Sequence, residues 1–311
     1  MPRVSRRAWW IAAAFGGCPA LALFSACNRV FGLDETIVVD GGFPDLDDDG
    51  IEDGFDNCLA EVNPAQSDED LDGVGDACDN CPLIENTAQD HAGDQDPVGD
   101  TCDARPVESG DCLIVIDSFT DPAQFHAHWT VLGEPDNVVT AGAGLVAITP
   151  GTQGVVLVAK GADGVDLAGT YDVQASVRAS SSMIAVRAVA NSTGPRLGYG
   201  CGEEYALPVP LVTASVGTAT SFQSFGSQLS TLPASTTVLL RLVPDDQSLG
   251  FRRLTCRVDH GAAVGWHGFY MPPALAVGGP GVSVQGGPAE ILAVAIYQSR
   301  PGETCPAPIV R

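Results

Sequence analysis

Asp45, Asp47, Asp49, Gly50, Ile51, Asp53 and Asp56 recur further along the chain as Asp68, Asp70, Asp72, Gly73, Val74, Asp76 and Asp79. A turn that points every second side chain inward gathers the first three carboxylates of each set on one side. Glycine at the sixth place lets the chain turn sharply, and the seventh residue, Ile51 or Val74, needs to offer only its backbone carbonyl. Aspartates at the ninth and twelfth places complete the shell. Six to eight hard oxygens in a flexible turn are what calcium takes. The competing reading is an acidic, disordered tail. Random placement of acids would rarely give two complete sets in one register with glycine at the sixth place of both.

These sets lie within a wider polarity of the chain. Residues 34–103 hold 18 Asp and 5 Glu and no Lys or Arg. Residues 1–33 hold four Arg and no acid, and residues 104–311 are only mildly acidic, within a total net charge of −24. The asymmetry argues for separate modules. It argues against nucleic acid as a partner, because a polyanion would be repelled.

A third unit departs from the first two. Asn86-Thr87-Ala88-Gln89 echoes Asn63-Pro64-Ala65-Gln66, and Asp96-Pro97-Val98-Gly99-Asp100 echoes the earlier Asp-Gly-Val-Gly-Asp run. Pro97 stands where the turn needs glycine, and one residue is inserted before Cys102. Asp94, Asp96, Asp100 and Asp103 survive as candidate ligands, with Asp90 as a further one. Proline cannot take a positive φ, so this site is expected to be weak, altered or lost. The segment has too few large apolar residues for a core, so ions and cross-links must replace one.

Ten cysteines bear on the cross-links. Cys18 and Cys27 belong to the N-terminal region. Cys58, Cys78, Cys81 and Cys102 fall in the acidic segment, and Cys112, Cys201, Cys256 and Cys305 beyond it, so each module can pair internally. Cys78-Asp79-Asn80-Cys81 has the spacing of half a zinc site, but neither a second close Cys pair nor a His pair accompanies it. The loops differ from EF-hands, which have flanking helices and Glu at the twelfth place. The string Asp56-Asn57-Cys58, followed by Asn63 through Pro82, resembles the thrombospondin type 3 repeat over residues 45–103. That resemblance implies a chain wrapped around a row of calcium ions. It also implies pairing of Cys58 with Cys78 and of Cys81 with Cys102.

The N-terminus reads as an export signal. Arg3, Arg6 and Arg7 precede an apolar stretch from Ala8 to Phe24 that Pro19 interrupts. Phe24-Ser25-Ala26-Cys27 resembles the lipobox of bacterial lipoproteins, although Phe24 replaces the usual leucine. The resemblance implies a signal peptide over residues 1–27, lipidation at Cys27, and a linker over 28–44. Ser5-Arg6-Arg7 also resembles a twin-arginine export signal. The alternatives are a simple signal peptide cleaved elsewhere and a membrane anchor, which the short, Pro-broken stretch disfavours.

Beyond a linker over 104–110 the texture changes. Segments such as Leu113–Ile116, Gly144–Thr149, Val155–Ala159, Tyr171–Arg178, Met183–Val189, Thr237–Val243, Leu254–Val258 and Ile291–Tyr297 read as strands, several with one buried face. No amphipathic helix is evident, so residues 111–305 are expected to form one all-β sandwich. Asp117-Ser118-Phe119-Thr120-Asp121, then Trp129, then Gly144-Leu145 resemble the opening of concanavalin A-like (laminin G-like) jelly rolls. That resemblance implies that Ala289–Tyr297 returns as an edge strand beside the first. It further implies that Cys112 meets Cys305, leaving Cys201 and Cys256 as a second pair.

Catalytic signatures are sparse. Glycosidases on this fold carry paired carboxylates on one strand, and the matching Glu-x-Asp-x-x-Glu string does not occur. Glu203-Glu204 is expected in a solvated loop. His126 and His128 would share one face of a strand leading to a core Trp129, where metal ligation is the less favoured reading. No Gly-x-Ser-x-Gly or phosphate-binding glycine loop is present. The expectation is a calcium-binding, non-catalytic envelope lipoprotein at the outer membrane. It would hold a β-sandwich for adhesion, or for recognition of a glycan or protein, on a calcium-stiffened stalk. The alternatives are a polysaccharide-active enzyme and a structural spacer.

Overall fold

The computed structural model describes residues 44–311, apart from residue 95 and the stretches 134–137, 143, 151–153, 168–170, 180–182, 191–197, 205–210, 219–220, 230–236, 246–251, 261–262, 272–278 and 286–287. The signal segment, Cys27 and the 28–44 linker therefore lie outside the described residues, apart from Pro44. Asp45–Arg311 forms one compact unit.

The strands, numbered along the chain, are β1 (Asp111–Asp117), β2 (Trp129–Leu132), β3 (Val138–Gly142), β4 (Leu145–Thr149), β5 (Val155–Ala159), β6 (Asp172–Ala179), β7 (Met183–Ala190) and β8 (Gly198–Glu204). They continue as β9 (Leu211–Thr218), β10 (Ser221–Leu229), β11 (Thr237–Asp245), β12 (Arg252–His260), β13 (Ala263–Met271), β14 (Gly279–Gln285), β15 (Ala289–Ser299) and β16 (Ile309–Val310). One sheet runs β13-β12-β11-β6-β15-β1-β16, with β4 also beside β15 and β3 beside β4. The other runs β10-β9-β8-β7-β14-β5-β2. The all-β sandwich is thus a pair of sheets whose inner faces meet.

The core between them comes from alternating strand positions. Val173, Ala175 and Val177 of β6, Leu240 and Leu242 of β11, and Val294 and Ile296 of β15 point inward against Val155, Leu157 and Ala159 of β5 and Val282 and Val284 of β14. Burying this layer stabilises the unit by roughly 25 cal/mol for each Å² of apolar surface removed from water. β15 does return antiparallel beside β1, pairing Cys112 with Gln298 and Ile116 with Ala295. It is an interior strand and not the expected edge, because β6 occupies its other side.

The opening motif interlocks. The Trp129 indole is buried and donates to Asp117 Oδ2 at 2.7 Å. Asp117 Oδ1 accepts the Phe119 N–H at 2.9 Å. Phe119 packs on Trp129 with ring centroids 5.8 Å apart, and its carbonyl accepts the Gly144 N–H. Asp117, Phe119, Trp129 and Gly144 therefore each have a partner elsewhere in the motif.

Two local expectations are corrected. His126 and His128 lie in a short helical turn, Phe125–His128, and not on a strand. Asp121 caps the preceding 3-10 turn, Pro122–Gln124, accepting from the Ala123 N–H, and Pro122 starts it with a preset φ. Two residues apart on a helical turn do not share a face, so the two imidazoles cannot act as a strand pair. Glu203 and Glu204 lie in β8 and not in a loop, held in register with Val212 and Leu211 of β9.

From Asp76 to Cys102 the acidic segment lies along the outer face of the first sheet and does not stand clear of it. Strand alternation gives β15 a second buried face, where Ala293, Ala295 and Tyr297, with Ile116 of β1, meet Cys81, Leu83, Val98 and Cys102. Polar contacts border this patch. Ser118 Oγ donates to Asp76 Oδ2 at 2.5 Å, and Gln174 and Arg241 both donate to the Cys102 carbonyl. Arg105 bridges Asp111 and Asp172, each at 2.8 Å.

Candidate functional site

Three acidic loops are the most heavily functionalised feature among the described residues. In the first, Asp45, Asp47 and Asp49 each offer a carboxylate oxygen within 4.8 Å of the others. Asp68, Asp70 and Asp72 do the same in the second, and Asp94, Asp96 and Asp103 in the third.

Backbone geometry makes the loops. The Gly50 N–H donates to Asp45 Oδ2 at 3.0 Å and the Gly73 N–H to Asp68 Oδ2 at 3.1 Å. Both glycines sit at positive φ, +97° and +93°, where a Cβ is disfavoured. The Asp49 N–H donates to Asp47 and the Ile51 N–H to Asp49, as the Asp72 N–H does to Asp70 and the Val74 N–H to Asp72. Each carboxylate thus has one oxygen fixed by an N–H. The other oxygens, Asp45 Oδ1, Asp47 Oδ2, Asp68 Oδ1 and Asp70 Oδ2, are buried and accept nothing. Leaving so many buried acceptors unsatisfied is costly unless a cation meets them.

The ninth- and twelfth-place residues have other bonds. Asp53 and Asp76 accept the N–H groups of Leu46 and Glu69 and so close their loops. Asp56 Oδ1 accepts from Gln66 Nε2 at 2.9 Å, and Asp79 Oδ1 from Gln89 Nε2 at 2.6 Å. Asp79 Oδ2 is left buried and unpaired. The glutamines are oriented in turn by the N–H groups of Asn57 and Asn80. Sequence reasoning saw the echo of Asn63 and Gln66 in Asn86 and Gln89 but not this task. The repeat of Asn57 as Asn80 was the available signal.

The third loop keeps part of the pattern. The Asp96 N–H donates to Asp94 Oδ1 and the Val98 N–H to Asp96 Oδ1, as in the other loops. Ala92 occupies the place of Asp68, and Pro97 lacks the N–H that would have bonded there. Both partners of one missing hydrogen bond are therefore gone together. Asp100 accepts the Gly93 N–H, and Asp94 Oδ2 and Asp103 Oδ2 are buried without partners. Asp90 is tied in through its carbonyl, which accepts the Asp100 N–H.

Crowding is visible in the protonation of these groups. Burial, with Asp79, Asp72 and Asp68 nearby, pushes Asp70 up to about 7. Burial, aided by Asp72 and Asp76, pushes Asp79 up to about 6. Burial and the adjoining Asp111 also raise Asp103.

Disulfides join Cys58 to Cys78, Cys81 to Cys102 and Cys112 to Cys305. The first two staple consecutive loops, and the third ties β1 to the chain beyond β15. Cys201 lies on β8 and Cys256 on β12, in opposite sheets. Their side chains lie outside the described residues.

A groove of about 290 Å³ runs between the second loop and the sandwich. Gln66, Asp76, Asp117, Asp121, Gln124, His128 and Arg311 line it. His128 Nδ1 stands 3.8 Å from Asp117 Oδ2, too far for a hydrogen bond. No helix among the described residues is long and apolar enough to cross a membrane.

The class of molecule is therefore a two-sheet β-sandwich with cross-linked acidic loops packed on one outer face. No protein-family model matches the chain, and no curated protein matches it. Among solved structures it is similar to the carbohydrate-binding module CBM66 from Bacillus subtilis, at 10% identity and TM-score 0.38, covering 55% of this chain and 92% of that one. It is similar to the CBM2 module of the evolved Dit of Lactobacillus casei BL23 phage J-1, at 10% identity and TM-score 0.41, covering 64% and 100%. It is also similar to the VIP36 exoplasmic/lumenal domain in its Ca2+/Man3GlcNAc-bound form, at 10% identity and TM-score 0.40, covering 62% and 90%. At this distance each is a likeness of general layout.

Proposed function

We propose that this is a calcium-binding recognition protein of the bacterial cell envelope, anchored through a lipid on Cys27. In it, thrombospondin type 3-like loops hold calcium against a β-sandwich. The observation that carries the calcium reading is the repeated set of buried, unpaired carboxylate oxygens: Asp45, Asp47, Asp68, Asp70 and Asp79 in the first two units. Each faces a cluster of other carboxylates, and hard oxygens of that kind suit calcium. Titrating calcium into chelator-stripped protein should show at least two sites. They should be selective over magnesium, which demands a tighter octahedron. No heat and no terbium competition at millimolar calcium would overturn the reading.

For recognition, the groove beside the second loop favours a small polar ligand such as a glycan over a protein. Its size is that of a small-molecule pocket, whereas a protein partner needs on the order of 800 Å² of surface. Its inner carboxyls are engaged, Asp117 by Trp129 and Phe119 and Asp76 by Ser118 and Glu69. Glycoside hydrolysis needs two available carboxyls, so the groove suits binding better than catalysis. A glycan array run on the mature chain with and without calcium tests this. Release of reducing ends from any bound polysaccharide would establish the enzyme instead.

The envelope assignment rests on the basic, apolar N-terminus and its lipobox-like end. Labelling with a fatty acid that Cys27→Ser abolishes would support it. Unchanged labelling of that variant would remove the anchor.

A further inference from the structure

Resting on the calcium reading of the loops, the geometry points to a third cation site completed by the sandwich itself, in which Asp111 of β1 joins Asp103 of the third loop around one divalent ion, calcium by its all-oxygen chemistry. The ion would then fasten the acidic segment to the sheet.

Three observations converge. Asp103, Asp111 and Asp172 line one small cavity of about 10 Å³, with Gln174 and Tyr297 beside them. That is space for a single water or ion. Asp111 is 2% exposed and Asp103 8%. Their Oδ2 atoms, together with Gln174 Oε1 and the Tyr297 hydroxyl, are all buried without a partner. Finally, Asp94, Asp96, Asp103, Asp111 and Asp172 crowd the region, with Arg105 and Arg241 as the cations beside them among the described residues. Arg105 takes Asp111 Oδ1 and Asp172 Oδ2 and leaves Asp111 Oδ2 free for an ion.

The site also explains how the third unit manages without a first-place aspartate. Ala92 and Pro97 remove one ligand from the loop, and Asp111 supplies a carboxylate from outside it. The Asp111 backbone N–H already bonds to Asp96 Oδ2 at 2.8 Å, which brings the side chain to the loop.

The test counts calcium ions on the full mature chain by equilibrium dialysis. Asp111→Asn should lose one ion, or weaken one site by about tenfold or more, while the others are retained. Arg105→Gln, which removes the ion pairs of Asp111 and Asp172 but no carboxylate, should retain every ion. Asp111→Asn with an unchanged count and affinity would overturn the proposal and leave the cavity to water. If the wild-type chain bound no calcium, the reading of the loops themselves would fall, a distinguishable result. Should Asp111→Asn fail to fold, anomalous scattering from wild-type crystals grown with terbium decides the matter. An ion touching Asp111 supports the proposal, and an ion held by loop aspartates alone overturns it.

Discussion

Asp96 Oδ2 accepts the backbone N–H of Asp111 at 2.8 Å and that of Gly110 at 3.2 Å. In the first loop the same oxygen, on Asp49, accepts from Asn63, and in the second, on Asp72, from Asn86. Each loop thus grips the opening residue of whatever follows it, and after the third loop that is the first strand of the sandwich. The acidic segment and the β-sheet are joined by the bond that joins one repeat to the next.

Calcium should therefore hold both the loops and their seat on the sheet. With a dissociation constant of about 0.1 mM, as in extracellular modules, millimolar calcium adds about 1.4 kcal/mol per site. Chelation should lower the thermal midpoint and enlarge the hydrodynamic radius. It should also open residues 45–103 to a glutamate-specific protease, since trypsin finds no Lys or Arg there. An unchanged radius and digestion pattern in chelator would count against this role.

Gly73 and Gly75 should respond differently to alanine. A Cβ on Gly73 meets nothing within 4 Å, but φ is +93°. Gly73→Ala should cost about 1 kcal/mol through backbone strain alone. A Cβ on Gly75 would lie 2.7 Å from Cys58 Sγ and press on the Asn57 amide. Gly75→Ala should therefore be the more damaging and disturb formation of the Cys58–Cys78 bond. Urea unfolding of the two variants in calcium checks the order, and equal stability would contradict the packing.

Much of this was legible in the sequence because the loops are local. Asp45 to Asp56 and Asp68 to Asp79 form their bonds within a dozen residues, so register alone describes them. The strands with strong apolar runs, such as β5 and β15, were equally plain. β8, β9 and β10 were not, because Gly, Ser and Thr fill them and only pairing in the sheet makes them strands. The seat of the acidic segment was hidden for a different reason. Ala293, Ala295 and Tyr297 read as the ordinary second face of a strand, and nothing local says what covers it. Asp111, Gln174 and Tyr297 come together only through contacts between residues far apart in sequence.

Acid should act on Asp117. Burial pushes it up to about 6, although the Trp129 and Phe119 bonds and Arg311 pull it down. A carboxyl raised above its unfolded value of 3.8 binds a proton more readily in the folded state. Its contribution is thus complete at low pH and is lost as the pH rises through about 6. The gap between the folded and unfolded values corresponds to about 3 kcal/mol. In saturating calcium, Asp117→Asn should show a flatter thermal midpoint between about pH 4 and pH 6 than the wild type. Superimposable profiles would refute this.

Cys112 and Cys305 are 193 residues apart. Loop-closure entropy for a bridge of that span is about 5 kcal/mol, with measured losses commonly 2–5 kcal/mol. The Cys112→Ser, Cys305→Ser double variant should lose stability in that range in urea unfolding. A loss well under about 1 kcal/mol would mean that the unfolded chain is held by other means. In a non-reducing peptide map Cys201 and Cys256 should elute as one linked peptide, and two free thiols would refute that pairing.

The shared grip of Asp49, Asp72 and Asp96 also gives the array a direction of growth. Its C-terminal boundary is committed, because the third loop has traded its own first aspartate and glycine for a fit to Gly110 and Asp111. The upstream boundary carries no such commitment, since Asp45 opens a complete unit. An additional unit spliced before Asp45 would meet a loop already shaped to follow another, whereas one spliced after Asp103 would part the third loop from the strand it holds. Lineages of this protein should therefore vary in reach by gaining or losing turns at the far end, with the turn nearest the sandwich kept as a permanent fitting.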